Sequence, residues 1–464
     1  MTRPIRSASI DHLARRAFLR RAGQLGMAGI AAPWAINLAT MGEAAAFSAS
    51  DYKALVCVFL YGGNDYGNTV LPFDNTNYAR YAAIRTGIAT PQASLAATAL
   101  TPTTPLAGGM QLALAPQMTA LKALFDTGKL AVQLNVGPLI QPTTLAQYNA
   151  KSVPLPPKLF SHNDQQSVWQ SSQPEGSTTG WGGKLGDLAL SNNGNAVFSC
   201  ISVTGNAVYL AGQTAVQYQV STSGAVPING VKSNLYGSSA CSAALNSLIT
   251  QPSSQTLENE LNKITSRSIS AEGQVTSALA GSATLATSFP AGNSLASQLQ
   301  TVAKLIAARN TLGARRQVFM VSLGGFDLHD NLPTQHPGLL TNVSEALAAF
   351  YNATMELGVS NSVTAFTASD FGRTLSSNGD GSDHGWGSHH FVLGGAVNGR
   401  NFYGQAPAIA VNGTDDVGQG RLLPTTSVDQ FAATLATWFG VSASELPLVV
   451  PNIRNYSLKN IGFV

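Results

Sequence analysis

The sequence predicts an α/β fold built on a doubly wound, mainly parallel sheet. Three observations carry this expectation. Residues 54–60, Ala-Leu-Val-Cys-Val-Phe-Leu, form a continuous apolar run without alternation, as a strand buried on both faces requires. That run ends in Gly62 and Gly63, a tight turn at the strand end where ligands bind in open α/β sheets. Further strand-like runs alternate with helical patterns toward both ends of the chain. With 464 residues, 44% of them hydrophobic, the chain can bury a large core, and at 11% charged it is no disordered segment.

The N-terminus reads as an export signal rather than as part of the fold. Arg15-Arg16-Ala17-Phe18-Leu19-Arg20 is a twin-arginine motif, with Ala14 where Ser or Thr is usual. A Gly- and Ala-rich stretch, 22–38, follows it, and Ala44-Ala45-Ala46 supplies small residues for cleavage after Ala46. The stretch is too short and too glycine-rich for a membrane span. The expected partner at this stage is the twin-arginine translocase, which carries proteins already folded. Residues 47–464 then form a single domain. They hold 20 basic against 21 acidic side chains, so no basic patch argues for nucleic acid.

After the first strand, residues 116–126 read as an amphipathic helix stopped near Gly128, and 130–136 as the next strand, giving one βαβ unit. Residues 138–160 are a Pro- and Thr-rich loop. Ser161-His162-Asn163-Asp164 opens a short helix toward Trp169. Residues 176–250 hold short strand-like pieces, and 254–312 are helical, with Leu257, Leu261 and Ile264 near helical spacing. The stretch 176–300 is expected as a cap or insertion on the sheet. Strands are then expected at 317–323, 362–367 and 390–393, and helices at 339–357 and 428–439, the last between Ser427 as N-cap and Gly440 as stop. Of three cysteines, Cys57 reads as a buried hydrophobe, while Cys200 and Cys241 are available to pair in an oxidising compartment.

The chemistry concentrates near the C-terminus, where two segments hold five of the seven histidines. Asp327 and His329 follow Gly324-Gly325 at a strand end. As alternate residues of an extended chain they point the same way, so both are candidate ligands of one ion; a turn Asp beside a surface His is the plainer reading. Asp370 follows the strand 362–367 as a further ligand candidate. Arg373 has the fork to grip an anionic oxygen, unless it closes the turn by pairing with Asp370. Asp383 and His384, compact and glycine-flanked, are further ligand candidates, and of His389 and His390 at most one faces such a site. Asp65, in the glycine turn, is a ligand or a turn-stabilising Asp. Ser161, before a helix, is the best nucleophile candidate, or a plain N-cap. His336 reads as a loop histidine. No G-x-S-x-G elbow supports a Ser-His-Asp hydrolase.

With these residues on the page, the chain resembles the twin-arginine-exported family known as domain of unknown function 1501. The matching pieces are residues 56–69 with the Gly-Gly-Asn-Asp turn, 161–169, 318–329, Phe371-Gly-Arg-Thr374 and Asp383-His384-Gly385, in family order. That family looks like a member of the alkaline phosphatase and sulfatase superfamily. The resemblance implies an alkaline phosphatase-like core and one or two divalent ions (Zn, Mn, Mg or Ca). It makes Asp65 the first-strand ligand, Asp327 with His329 the Asp and His of one metal, Asp370 a ligand of the other, and His384 the last His. Departures are Phe371, where the superfamily has His, Asp370, where the family often has Glu, and the close spacing of Asp327 and His329. The expected function is a metal-dependent hydrolase of an anionic phosphate or sulfate ester. The alternatives are a non-catalytic protein of envelope assembly and a scaffold whose ions serve folding only.

Overall fold

The computed structural model describes residues 50–464, so the expected export signal lies outside the described residues. These residues form twelve strands: β1 (Lys53–Leu60), β2 (Val70–Pro72), β3 (Leu112–Leu114), β4 (Leu130–Gly137), β5 (Cys200–Ser202), β6 (Tyr218–Ser221), β7 (Gly224–Ala225), β8 (Arg316–Leu323), β9 (Val363–Ser369), β10 (Ser388–Gly394), β11 (Phe402–Tyr403) and β12 (Thr426–Ser427). Their α-helices of eight residues or more are α1 (Asn75–Ile84), α2 (Thr119–Asp126), α3 (His162–Ser171), α4 (Trp181–Ala189), α5 (Ser239–Thr250), α6 (Thr256–Ala280), α7 (Ser294–Ala307), α8 (Leu332–Glu356) and α9 (Val428–Phe439).

Ten strands share one sheet in the order β11-β4-β10-β9-β1-β8-β5-β6-β7, with β12 beside β4. The five neighbours β9, β1, β8, β5 and β6 are mutually parallel, while β10 runs against β9 and β4. The apolar run of β1 explains its central place. Ala54, Val56, Val58 and Leu60 enter one core cluster with residues of α2, α7 and α8, while Leu55, Cys57 and Phe59 enter another with residues of α3, α4 and α9. The strand's two-residue period thus feeds a core on each face, as a doubly wound sheet demands.

Several expectations change in detail. The predicted unit of β1, α2 and β4 does not place its strands side by side: β9 and β10 stand between them. The β2–β3 pair and α1 occupy the stretch before α2, where turn-rich sequence hid them. The stretch 176–300 extends the sheet edge through β5, β6 and β7, with α5 and α6 beyond. Helix α8 starts at Leu332, before the predicted 339, and carries Pro337 inside it. Helix α9 matches its predicted bounds. Ser427 accepts from Gln430 N in a capping box, and Gly440 ends the helix at φ 121°. Cys200 and Cys241 do not pair. All three cysteines are free, Cys200 buried in β5 and Cys241 exposed on α5. No helix among the described residues is long and apolar enough to cross a membrane.

Candidate metal centre

The strand register sets up the site. Leu60 of β1 stands level with Leu323 of β8 and with Ser369 of β9, so three loops leave the same sheet edge together. Gly62 brings two of them into backbone contact. Its φ is +115°, and a Cβ there would lie 2.3 Å from Asp327 N. The loop after β8 delivers Asp327 and His329, the loop after β9 delivers Asp370 and Arg373, and a later turn delivers Asp383 and His384.

Asp327 is the hub. Its Oδ1 lies 3.2 Å from His329 Nε2 and 3.2 Å from His384 Nε2, and those two nitrogens are 2.9 Å apart. Its Oδ2 lies 3.4 Å from His162 Nε2. Each imidazole is held from behind. His384 Nδ1 donates to the Phe160 carbonyl at 2.8 Å. His329 Nδ1 faces Asp383 Oδ1 at 3.2 Å and His162 Nδ1 faces Asp370 Oδ2 at 2.6 Å. A carbonyl or carboxylate only accepts, so the Nδ1 protons point outward and the Nε2 lone pairs turn inward. This is the outer-shell pattern that orients metal-ligating histidines.

Spacing tests the fit to a cation. Tetrahedral zinc ligands at about 2.0–2.1 Å stand roughly 3.3 Å from one another. The Asp327–His329–His384 triangle, with edges of 2.9–3.2 Å, is close to one face of such a tetrahedron. His162, Asp327 and His384 also offer donor atoms all within 4.8 Å of one another. The donor set of nitrogen and carboxylate oxygen suits Zn and Mn better than Ca.

Electrostatics follow from these neighbours. Partial burial pushes the Asp327 carboxyl up, but the Arg373 hydrogen bond at 2.7 Å and its charge bring the group below the usual range. For Asp383 burial again pushes up, and hydrogen bonds from Asn378 and His329 outweigh it, so it too is held low. The hydrogen bond to Asp370 raises His162. Burial lowers His384, which keeps its Nε2 lone pair available.

The other expected residues are placed as follows. Asp370 is fully buried behind His162, accepting also from Gln166 Nε2 at 2.8 Å and Gly62 N at 3.2 Å. Arg373 is fully buried and donates to Asp327, to the Gly62 carbonyl at 3.1 Å and to Ser382. It holds the hub in place, and its ion-pair partner is Asp327 rather than the Asp370 of the expected local pair. Asp65 sits apart from the cluster. It pairs with Arg85 at 2.5 Å, accepts from Ser382 Oγ at 2.8 Å and caps the following turn through Asn68 N at 3.1 Å. Ser161 is the N-cap residue of α3, and its hydroxyl donates to Asp164 at 2.9 Å. Asp383 stands behind His329.

His336, His389 and His390 are buried away from the cluster. His336 meets Asn64 Oδ1, His389 Nδ1 accepts from Asn135 N, and His390 packs edge-on against Trp169. Phe371 is fully buried and packs tilted against both His162 and His384, with ring centres 4.8 and 4.6 Å away, while the two imidazoles are 4.4 Å from each other. An imidazole at that position would have met the same two rings; the phenyl offers them only an apolar wall. His162 is the residue that sequence reasoning left out of the ligand set. Its signal was present in Ser161-His162 at a helix start, read only for the serine.

Fold and cluster together define a mainly parallel α/β protein with three histidines converging on one carboxylate at the carboxyl ends of the strands. The chain belongs to the family described as "Protein of unknown function (DUF1501)", whose model matches residues 52–447. No curated protein matches it in sequence. Three solved structures with partial similarity are Ps i-CgsB in complex with k-i-k-neocarrahexaose, the C-terminal periplasmic domain of EcEptC from Escherichia coli, and the lipoteichoic acid synthase LtaP from Listeria monocytogenes. The first is 8% identical, covering 88% of this chain and 77% of that one at a TM-score of 0.34. The second is 9% identical, covering 90% and 89% at 0.35. The third is 8% identical, covering 87% and 76% at 0.34.

Proposed function

We propose that this protein is an exported hydrolase of phosphate or sulfate esters that depends on a single divalent cation held by Asp327, His329 and His384. The observation that supports this most is the facing pair of imidazole nitrogens, His329 Nε2 and His384 Nε2, 2.9 Å apart beside one carboxylate oxygen. Family resemblance supports the ester class, and the twin-arginine motif supports export through the translocase. One cation rather than two is favoured because Asp65 is committed to Arg85 and Phe371 offers no donor.

When bound, the cation supplies Lewis-acid charge for an ester oxygen. The protein's own groups do the rest. Asp383 and the Phe160 carbonyl fix the two ligand rings. Arg373 keeps Asp327 ionised and immobile. The buried Asp370 aims His162 Nε2 at the open side of the cluster, where a proton is to be held or passed. Ser161, on the same turn, remains the candidate nucleophile, with Asp164 accepting its hydroxyl proton in a hydrogen bond.

A second reading has its own support. Arg373, whose fork suits an anionic oxygen of a substrate, spends its hydrogen bonds on protein groups. A cation that only braces three loops would look the same, and the protein would then be a scaffold whose ion serves folding, without turnover. Elemental analysis of the natively exported protein, followed by assay on aryl phosphates and aryl sulfates, separates the readings. Bound metal with turnover supports the hydrolase. Bound metal without turnover supports the scaffold, and no metal overturns both in favour of a non-catalytic protein of envelope assembly.

A further inference from the structure

A second arginine stands beside the cluster, on a tight turn at residues 416–421. Buried Asp416 shapes that turn by accepting from Gly418 N at 2.6 Å and Gly420 N at 2.8 Å, and Val417 N closes it on the Arg421 carbonyl at 2.9 Å. The turn is pinned to the segment that follows Arg373. Leu375 N and Ser376 N donate to the Gly420 and Gln419 carbonyls, both at 3.2 Å. Gly420 has a φ of +74°, and a Cβ there would lie 2.5 Å from Leu375 Cβ. Arg421 therefore leaves a fixed backbone.

Its guanidinium is held on two sides. Nε donates to the His384 carbonyl at 2.7 Å and Nη1 to the Gly418 carbonyl at 3.2 Å. The group lies over the Phe160 ring, 5.0 Å from its centre. Phe160 directly precedes Ser161 and His162, and its carbonyl takes the His384 Nδ1 proton. Two walls of the cluster thus touch this cation. Its Nη2 has no partner among the described residues and is open to solvent, although the side chain is half-buried. Arg85 and Arg373 are each paired with a carboxylate, whereas Arg421 forms no ion pair among the described residues. Lys158, near the start of α3, is 70% exposed and lies 3.7 Å from Asp164 and 4.0 Å from Glu175. A fixed guanidinium with free N–H donors and no counter-charge is suited to an oxyanion.

We propose that Arg421 is a substrate-binding residue of this site, its Nη2 gripping a charged oxygen of the phosphate or sulfate group. The proposal rests on the hydrolase reading and supplies the anion contact that Arg373, committed to Asp327, does not. Calorimetric titration of the natively exported protein with inorganic phosphate, and in parallel with sulfate, tests it. Arg421→Gln keeps an amide donor for the His384 carbonyl but loses the charge and the fork. It should weaken anion binding by about tenfold or more, at the parent's metal content and melting temperature. Arg421→Lys keeps the charge alone and should fall between the two. On an aryl ester, Arg421→Gln should raise KM by a similar factor and change kcat less. Anion held through Arg421 without turnover on any ester would support this assignment and sink the hydrolase reading. Turnover whose KM ignores Arg421→Gln would keep the hydrolase and overturn the assignment. A parent that binds neither anion also overturns it. So does loss of metal and anion together in both variants, which would make Arg421 only a brace for His384.

Discussion

His329 and His384 present their Nε2 atoms to each other across 2.9 Å while each turns its Nδ1 proton toward an acceptor behind it. Two lone pairs at that distance repel unless a proton or a cation lies between them. If it is a cation, Asp327→Ala removes the shared carboxylate and leaves two neutral imidazoles. Metal content should then fall to background, and His384→Ala should cost a large part of it. Asp383→Ala, which frees only the far side of His329, should weaken metal affinity by about 10–100-fold. Elemental analysis and a chelator competition series check all three. Full metal in the Asp327→Ala protein would sink the ligand assignment.

Asp370 gives a prediction of a different kind, because it touches His162 and not the proposed ligand triangle. Asp370→Asn keeps the shape but replaces one acceptor with an amide, so the His162 ring loses the hydrogen bond that fixes its tautomer. Metal content is expected to stay at the parent level while ester turnover drops by about a hundredfold or more. Parallel loss of metal and turnover would show instead that His162 and Asp370 are part of metal retention.

Acid stability follows from histidines outside the cluster. Burial pushes His336 and His389 down to about 4 and His390 down to about 3, far below the 6.5 of an exposed imidazole. The unfolded chain therefore binds more protons than the folded one across that interval. Stability is fully present above about pH 6.5 and falls as pH drops toward 4, by a few kcal/mol for each group. Urea midpoints measured between pH 7 and 4 should fall steeply. His390→Asn, which removes one titrating group, should flatten the slope; an unchanged slope would mean that His390 is protonated without cost.

The loops of the site were legible because chemistry and backbone coincide there: Gly62-Gly63, Gly324-Gly325 and Asp383-His384-Gly385 each announce a turn with donors on it. What was not legible is pairing across distance. No sequence signal joins Asp65 to Arg85, because the contact depends on α1 folding back beneath the turn. Arg373 reads equally well as a substrate grip or as a brace, and only its burial against Asp327 and Ser382 decides. Strand order has the same cause. Apolar runs identify β1, β8 and β9 as central, but nothing in β10 says that it lies antiparallel between β9 and β4.

Asp65 and Arg85 yield the last test. Both are buried, and the pair is fixed by Ser382 and by the Thr374 and Leu375 carbonyls, which accept from Arg85 Nη1 at 3.2 Å. Burial alone would raise the Asp65 carboxyl, yet the guanidinium charge wins and holds it below the usual range. Arg85→Leu leaves an uncompensated buried carboxylate and should cost about 3–5 kcal/mol in a denaturant titration. The double variant Asp65→Leu with Arg85→Leu removes both charges together and should recover much of that loss. The pair braces the turn after β1 and lies outside the proposed ligand triangle, so the double variant should still bind its cation. A double variant that folds but has lost its metal would put Asp65 back among the ligands, with Arg85 as the group that holds its place when the ion is gone.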